Sequence, residues 1–368
     1  MIYLDYNATT PVDKNVLESM LPYFCNQYGN PSNTYGLGYD AKMAVEKARQ
    51  QISDLIGVHP HEIVFTSCGS ESNNMLIKGV VYKYKNKGRH IITSMIEHPA
   101  VLNTMHFLEK NGFDITYLPV DHTGKVQVTD FQKSLRKETI LVSIMHSNNE
   151  VGTLQPIQEI GNICKEKGII FHTDASQSLG KVNINCNELN IDALTIAGHK
   201  MYAPKGIGAL YIKDGIQIEP LIHGASQELG HRAGTENVPY IVGLGQAAEI
   251  AKEHLQTSHL SDIRYYFYEQ LVSSFDCQIN TDLKNSLPNT LNVNFIGQSG
   301  NQILSQIPDI CASTGSACHS SLKDKPSSIL LAMGINEDMA LGAIRWSVGR
   351  YTTKDDIDYV IQRLKEII

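Results

Sequence analysis

The run Thr139-Ile-Leu-Val-Ser-Ile-Met145 has no polar face. A strand this apolar fits only where both faces of a sheet are covered. Helix and strand patterns alternate around it up to about residue 250. Residues 40–56 place Ala41, Ala44, Ala48, Ile52 and Leu55 at helical spacing, and Gly57 is a natural C-cap. Strand patterns follow at 62–65, 90–93, 169–173, 193–197 and 208–212, with helices opening near Ser70 and Pro99 and over 156–167. This βαβ rhythm predicts an α/β fold with a mostly parallel central sheet flanked by helices. After about residue 255 the pattern changes to a helix, an alternating strand at 288–295, a strand at 343–347 and a final amphipathic helix. The expected division is a large α/β domain over 13–255 and a smaller α+β domain over 256–368, joined by the N-terminal segment 1–12.

Two strand patterns end in polar groups one βα unit apart. Ile169-Ile-Phe171 leads into His172-Thr-Asp174-Ala-Ser-Gln177, and Ala193-Leu-Thr-Ile-Ala197 leads into Gly198-His199-Lys200. Strand ends on one sheet edge are where open α/β sheets bind ligands. An acid and a lysine so placed suit pyridoxal 5'-phosphate (PLP). The lysine amine joins the cofactor aldehyde, and the carboxylate keeps the pyridine nitrogen protonated so that the ring draws in electrons. Gln177 is in reach of the ring's phenolic oxygen. Taken alone, an Asp and a Lys at strand ends are also ordinary solvated groups.

Further candidates share that edge. Ser67-Cys-Gly69-Ser70-Glu71-Ser-Asn-Asn74 follows a strand and opens a helix. Gly69 permits close backbone approach, Ser70 adds a hydroxyl, and a helix N-terminus offers amides to a phosphate. The competing reading is a plain N-cap at Ser70. His98 follows the strand at 90–93, where an imidazole can stack on a ring and shuttle protons, or simply hydrogen-bond the backbone. Asn149, in Ser147-Asn-Asn-Glu150, suits a phenolic oxygen, a substrate carboxylate or a loop cap. Arg345 sits between apolar neighbours, a costly place unless it grips a carboxylate or forms a structural ion pair. Cys318 lies among small residues ahead of a polar loop, a setting for a nucleophilic thiolate.

Composition excludes other classes. The net charge is −7, and no basic run points to nucleic acid. No stretch is long and apolar enough to read as a membrane span, and Met1-Ile-Tyr-Leu-Asp5 does not read as a signal peptide. The seven cysteines form no C-x-x-C pair, which argues against a disulfide framework or a metal site and for a reducing cytoplasmic setting.

Taken together, these residues resemble the group I cysteine desulfurases of the class V aminotransferase superfamily, PLP fold type I. The resemblance rests on Leu4-Asp-Tyr-Asn-Ala-Thr-Thr-Pro11, Gly29-Asn-Pro-Ser32, Glu71-Ser-Asn-Asn74, Glu97-His98 and Asn148-Asn-Glu150. It continues through Asp174 with Gln177, Gly198-His-Lys200, Arg232-Ala-Gly-Thr235, Leu287-Pro-Asn-Thr-Leu-Asn292, Gly315-Ser-Ala-Cys318 and Arg345. It implies that Lys200 bonds the cofactor, Asp174 pairs its pyridine nitrogen, Gln177 its phenolic oxygen, and that His98 stacks on its ring. Gly69, Ser70 and His199 would hold the phosphate, and Thr235 would reach the phosphate of a neighbouring subunit, hence a homodimer. Asn149 and Arg345 would orient the substrate, L-cysteine. Cys318 would take its sulfur as a persulfide, releasing alanine, for an acceptor protein such as an iron–sulfur scaffold. Tyr35, the opening motif and the loop at Cys318 are also similar to selenocysteine lyases, which makes L-selenocysteine the alternative substrate.

Overall fold

A computed structural model describes residues 1–314 and 325–368. Its strands in chain order are β1 (Ile2–Tyr3), β2 (Ile63–Thr66), β3 (His90–Ser94), β4 (Asp114–Leu118), β5 (Thr139–Ser143) and β6 (Ile170–Asp174). They continue with β7 (Ala193–Ala197), β8 (Gly208–Ile212), β9 (Cys277–Ile279), β10 (Thr290–Phe295), β11 (Ile310–Cys311) and β12 (Ala343–Ser347). Strands β2 to β8 form one sheet in the order β2-β8-β7-β6-β5-β3-β4. All neighbours from β7 to β4 are parallel. β8 is antiparallel to both β7 and β2. The chain between Ala197 and Gly208 holds no crossover helix, so its return must be antiparallel.

Both faces of this sheet are covered, as the apolar strands require. Val142, Phe171, Leu194 and Ile196 pack with Ala41, Val45, Ala48 and Ile52 of the helix Gly36–Ile56 and with Leu244 and Ala248 of the helix Val238–His254. Leu141, Ala193 and Leu210 face the other way, against Met75, Leu76 and Val80 of the helix Gly69–Tyr84. Successive residues thus feed opposite cores, the period of two expected of strands. β5 ends at Ser143, two residues before its apolar run does, and Ile144 and Met145 stay buried as the chain leaves the sheet.

The helix Gly36–Ile56 starts four residues earlier than its apolar spacing predicts. A Cβ at Gly38 would lie 2.4 Å from the Asn33 carbonyl oxygen, so glycine alone admits this close start. The helix ends where expected, on Gly57 at φ +71°, whose N–H returns to the Ser53 carbonyl.

The C-terminal sheet has the antiparallel order β12-β10-β9. Its core gathers Trp346, Phe267, Leu271, Val360 and Leu364, and it includes Leu4 from the N-terminus. β1 pairs parallel with β11, and Asp5 bridges Ser347. β10 alternates in sequence, yet all six of its residues are buried. Asn292 donates to the Glu150 carbonyl of the large sheet's loop at 3.4 Å and accepts from Asn280 at 2.7 Å. The polar face is the one that meets the other sheet.

β2 and β7 both oppose β8, so they run the same way. The C-terminal ends of β2, β3, β5, β6 and β7 therefore meet along one edge of the sheet.

Candidate active site

A cavity of about 100 Å³ opens at that edge. Each strand end supplies part of its wall: Gly69 and Ser70 after β2, His98 after β3, Asn149 after β5, Asp174 at the end of β6 and Gln177 after it, His199 and Lys200 after β7. These residues come from sites up to 131 positions apart — Lys200 against Gly69 — and the topology alone collects them.

Asp174 closes β6 with its carboxylate held twice. Oδ2 accepts from Asn73 Nδ2 at 2.7 Å, and Oδ1 accepts from the Ser176 N–H at 2.9 Å. Asn73 lies one turn along the helix that Gly69 opens, which brings its amide to the acid. The sequence reading missed this role. The spacing of Asn73 from Gly69 was the available signal.

Lys200 ends the short helical turn Gly198–Lys200 directly after β7. Its Nζ donates to the Asn7 carbonyl. Loss of solvent and then the Arg345 guanidinium push its amine down to about 8, against the pull of Asp5 and Asp174. Such an amine is partly unprotonated near neutral pH, the form that attacks a carbonyl carbon.

His98 is the N-cap of the helix Pro99–Lys110, and its Nδ1 accepts from the Ala100 N–H at 3.1 Å. When the ring is neutral, that bond puts its proton on Nε2. Displaced water lowers its pKa, Lys200 adds to the effect, and Asp174 opposes it. The backbone-capping role and a place in the cavity wall therefore coexist. His199 pairs through Nδ1 with Thr9 Oγ1 at 3.1 Å, and burial ahead of the nearby lysines pushes it down to about 4.

The anion-cradle segment differs from the simple cap considered for Ser70. The N-cap is Cys68, whose Sγ accepts from the Glu71 N–H at 3.4 Å. Ser70 is thus left to line the cavity. Glu71 turns away, accepting from the Ser67 N–H at 2.7 Å and from Arg232 Nε at 3.0 Å. A Cβ on Gly69 would stand 3.0 Å from Ser176 Oγ and 3.2 Å from the Ala197 Cβ, narrowing the cavity at its helix end.

The other candidates are placed as follows. Arg345 lies mid-β12, donating from Nη2 to Asp5 Oδ1 at 2.6 Å and from Nη1 to the Asn149 carbonyl at 3.1 Å. The ion-pair reading of this arginine is therefore realised, and Arg345 is not among the residues lining the cavity. Gln177 donates from Nε2 to the Asn7 carbonyl at 2.9 Å. Thr235 is not brought to Lys200. It lines a separate recess with Ser67, Gly206 and Arg232. Cys318 lies outside the described residues. The chain on its N-terminal side is paired to the site, Ser313 exchanging backbone hydrogen bonds with Arg345. On its C-terminal side the Ser327 hydroxyl donates to Glu150. Asn7, whose carbonyl serves both Lys200 and Gln177, was not singled out from the sequence. Among the described residues no His/Cys/Asp/Glu cluster is arranged to hold a metal.

Residues 2–360 match the class-V aminotransferase family, a span that takes in all three sheets and every candidate named above. The chain belongs to that family. Within it, the sequence is 49% identical to the cysteine desulfurase IscS of Dictyoglomus turgidum, covering all of this chain and 94% of the relative. It is 47% identical to the cysteine desulfurase IscS of Methanosarcina thermophila, covering all of this chain and 92% of that protein. Among solved class-V structures, a NifS-like protein superposes with a TM-score of 0.94 at 40% identity, covering 100% of this chain and 98% of that one. SspA in complex with cysteine superposes with a TM-score of 0.85 at 41% identity, covering 96% and 100%. The fold is that of the NifS-like members of the family.

Proposed function

We propose that this class-V chain is a PLP-dependent cysteine desulfurase that converts L-cysteine to L-alanine and passes the sulfur to Cys318. The observation that carries it is the pairing in one cavity of Asp174, doubly hydrogen-bonded at the end of β6, with the lowered amine of Lys200 at the end of β7. Relatives at 44–49% identity over nearly the whole chain are named for this activity.

The donor set fits PLP. The helix N-terminus at Gly69–Ser70, clear of any Cβ at residue 69, supplies amides for a phosphate, with His199 beside it. Asp174, anchored by Asn73 and Ser176, is an acceptor for a protonated ring nitrogen. Gln177 offers an N–H, and His98 flanks the same space. When bound, the cofactor supplies an electron sink for the carbon bearing the amino group.

The chain's own residues do the rest. Lys200 is the residue that would hold the cofactor aldehyde, and its Nζ would take the substrate α-proton, a task its lowered amine suits. Asn149 and Arg345 orient the substrate carboxylate, Arg345 after exchanging its bond to Asp5. The Cys318 thiolate forms an S–S bond as the substrate C–S bond breaks. The electron pair left on carbon is protonated, so cysteine plus thiol becomes alanine plus persulfide. The persulfide then serves an acceptor protein, an iron–sulfur scaffold among the candidates. In this reading residues 13–255 are the large PLP-binding domain and 256–368 the small domain, joined by the N-terminal segment 1–12.

A homodimer is part of the proposal. Thr235 stands apart from Lys200 in its own chain. Leu21, Phe24, Tyr28, Tyr35 and Tyr39 expose apolar surface near the N-terminus. We place the enzyme in the cytoplasm; among the described residues no helix is long and apolar enough to cross a membrane.

The test is to add PLP to the purified chain, record its visible spectrum, and assay sulfide and alanine from L-cysteine beside selenide from L-selenocysteine. A Lys200-dependent band and Cys318-dependent sulfide release are expected. No visible band in the wild-type chain after reconstitution refutes the assignment.

A further inference from the structure

Lys181 is a part-buried lysine with no place in the chemistry above. Its Nζ lies 3.3 Å from Gln177 Oε1 and 3.1 Å from Asn7 Oδ1. It lines a second cavity, of about 270 Å³, whose wall also includes Lys200. The charged groups it feels are Lys200 and Arg345, both of its own sign, and burial pushes its amine well below the ordinary lysine value. A lysine held in such a place costs stability, so its two hydrogen bonds invite an account.

The orientation of both amides is settled by backbone carbonyls. Gln177 Nε2 faces the Asn7 carbonyl at 2.9 Å, and a carbonyl only accepts. The other amide atom, facing Lys181, must be Oε1. Asn7 Nδ2 faces the Asn149 carbonyl at 3.2 Å, so Asn7 Oδ1 is the atom at Lys181. Two amide oxygens converge on one amine, which donates to both whether charged or neutral. With its oxygen engaged there, Gln177 has only N–H left to offer the cofactor cavity it lines.

We propose that Lys181 is a positioning residue for the cofactor site: by holding Gln177 Oε1 and Asn7 Oδ1, it makes the Gln177 corner of the cavity a donor-only surface that selects an ionised ring oxygen. The proposal rests on the assignment of that cavity to PLP. It also explains why the N-terminal segment is fastened at Asn7, whose carbonyl receives Lys200.

Loss of Lys181 leaves Gln177 Oε1 unpaired, while Asn7 Oδ1 keeps Asn289 Nδ2 at 3.0 Å. The Asn7 carbonyl alone then opposes a rotation that brings the Gln177 oxygen into the cavity. An acceptor there opposes an ionised ring oxygen and strengthens that oxygen's hold on the proton it shares with Lys200 Nζ. The pH midpoint of the visible absorbance of the PLP-loaded chain therefore rises.

The experiment titrates that absorbance in wild type, Lys181→Met, Lys181→Arg, Gln177→Ala and the Lys181→Met/Gln177→Ala double variant. Lys181→Met is expected to raise the midpoint by about one unit, a shift of the size a lost donor or nearby charge produces. Lys181→Arg, which keeps donors on both oxygens, is expected to restore most of it. The double variant is expected to match Gln177→Ala alone, because Lys181 acts through Gln177. A Lys181→Met midpoint equal to wild type, or shifts that add in the double variant, overturns the proposal. Should Lys181→Met not fold, Lys181→Gln takes its place: it is neutral and too short to span both oxygens, and the same criterion applies. A wild-type chain with no band at all sinks the cofactor assignment itself, a distinct result.

Discussion

Asp5 and Arg345, 340 residues apart in sequence, meet at 2.6 Å between Oδ1 and Nη2. Their side chains are only 18% and 7% exposed, so the pair is little screened by solvent. It couples the N-terminus to β12 and sets the field at Lys200, where Arg345 lowers the amine pKa and Asp5 raises it.

Opposite shifts follow from neutralising either partner. Loading of PLP onto the empty chain depends on unprotonated Lys200, with a midpoint at about 8. Arg345→Gln removes a depressing charge and moves the midpoint of the loading rate up. Asp5→Asn removes an elevating charge and moves it down. Arg345→Gln also raises KM for cysteine roughly 10- to 100-fold, the worth of a charge-assisted hydrogen bond of ~1.5–3 kcal/mol. Stopped-flow loading across pH checks the midpoints, and two shifts of the same sign contradict the coupling.

Asn73→Ala strips Asp174 Oδ2 of its donor at 2.7 Å. The cost is about 1–3 kcal/mol for a buried carboxylate left short of a partner. Urea unfolding of the PLP-free chain measures it. Saturating PLP, whose ring nitrogen supplies a new donor, is expected to recover part of the loss.

Stability falls with rising pH through two buried acids. Burial raises Glu97 to about 8, with Asp174 adding to it against hydrogen bonds from Ser94 and Met145. Burial likewise raises Glu150 to about 7. For a raised carboxyl the stabilising contribution is complete below the unfolded value of 4.5 and is lost as pH climbs through the folded values of 7 and 8. Thermal melts from pH 5 to 9 are expected to show the decline, and Glu97→Gln to flatten its upper part. A wild-type Tm that rises over that range speaks against buried protonated acids.

Arg49 and Glu228 form a two-pronged buried pair at 2.9 and 3.0 Å, and Glu228 also accepts from the Phe65 N–H of β2 at 2.8 Å. β2 carries the cradle at Gly69, so this pair fixes the cradle's approach. Glu228→Gln leaves the guanidinium with only the half-exposed Glu46 carboxylate, 3.4 Å from Nε, and is expected to cost about 3 kcal/mol. Chemical denaturation gives the value, and PLP affinity should fall with it. A loss below about 1 kcal/mol, typical of exposed pairs, means the site relaxes.

The sheet was legible because its strands carry their burial in local sequence: Leu141 and Val142 feed opposite cores without help from distant residues. Asp174 and Lys200 were legible because strand ends have a known address. Asn7 and Lys181 were not, since each acquires its role from a contact that local pattern does not encode, 174 residues away for Lys181 with Asn7. Asn73 was signalled only by its one-turn spacing from Gly69, its partner Asp174 lying 101 residues away. Alternation in β10 shows which residues share a face but not which surface covers it. Asn292 serves the Glu150 carbonyl. At Cys68 the thiol took the cap that composition assigned to Ser70, since cap choice depends on backbone angles rather than on hydroxyl preference alone.

The parallel pairing of β1 with β11 has a consequence for biosynthesis. Residues 2 and 3 are synthesised 308 residues (310 − 2) ahead of their partners Ile310 and Cys311. Asn7, which receives Lys200, and Asp5, which receives Arg345, can dock only after that point. The nascent chain therefore carries all the strands of the large sheet with Lys200 unsecured until β11 has been made, and ordering of that lysine is coupled to synthesis of β11.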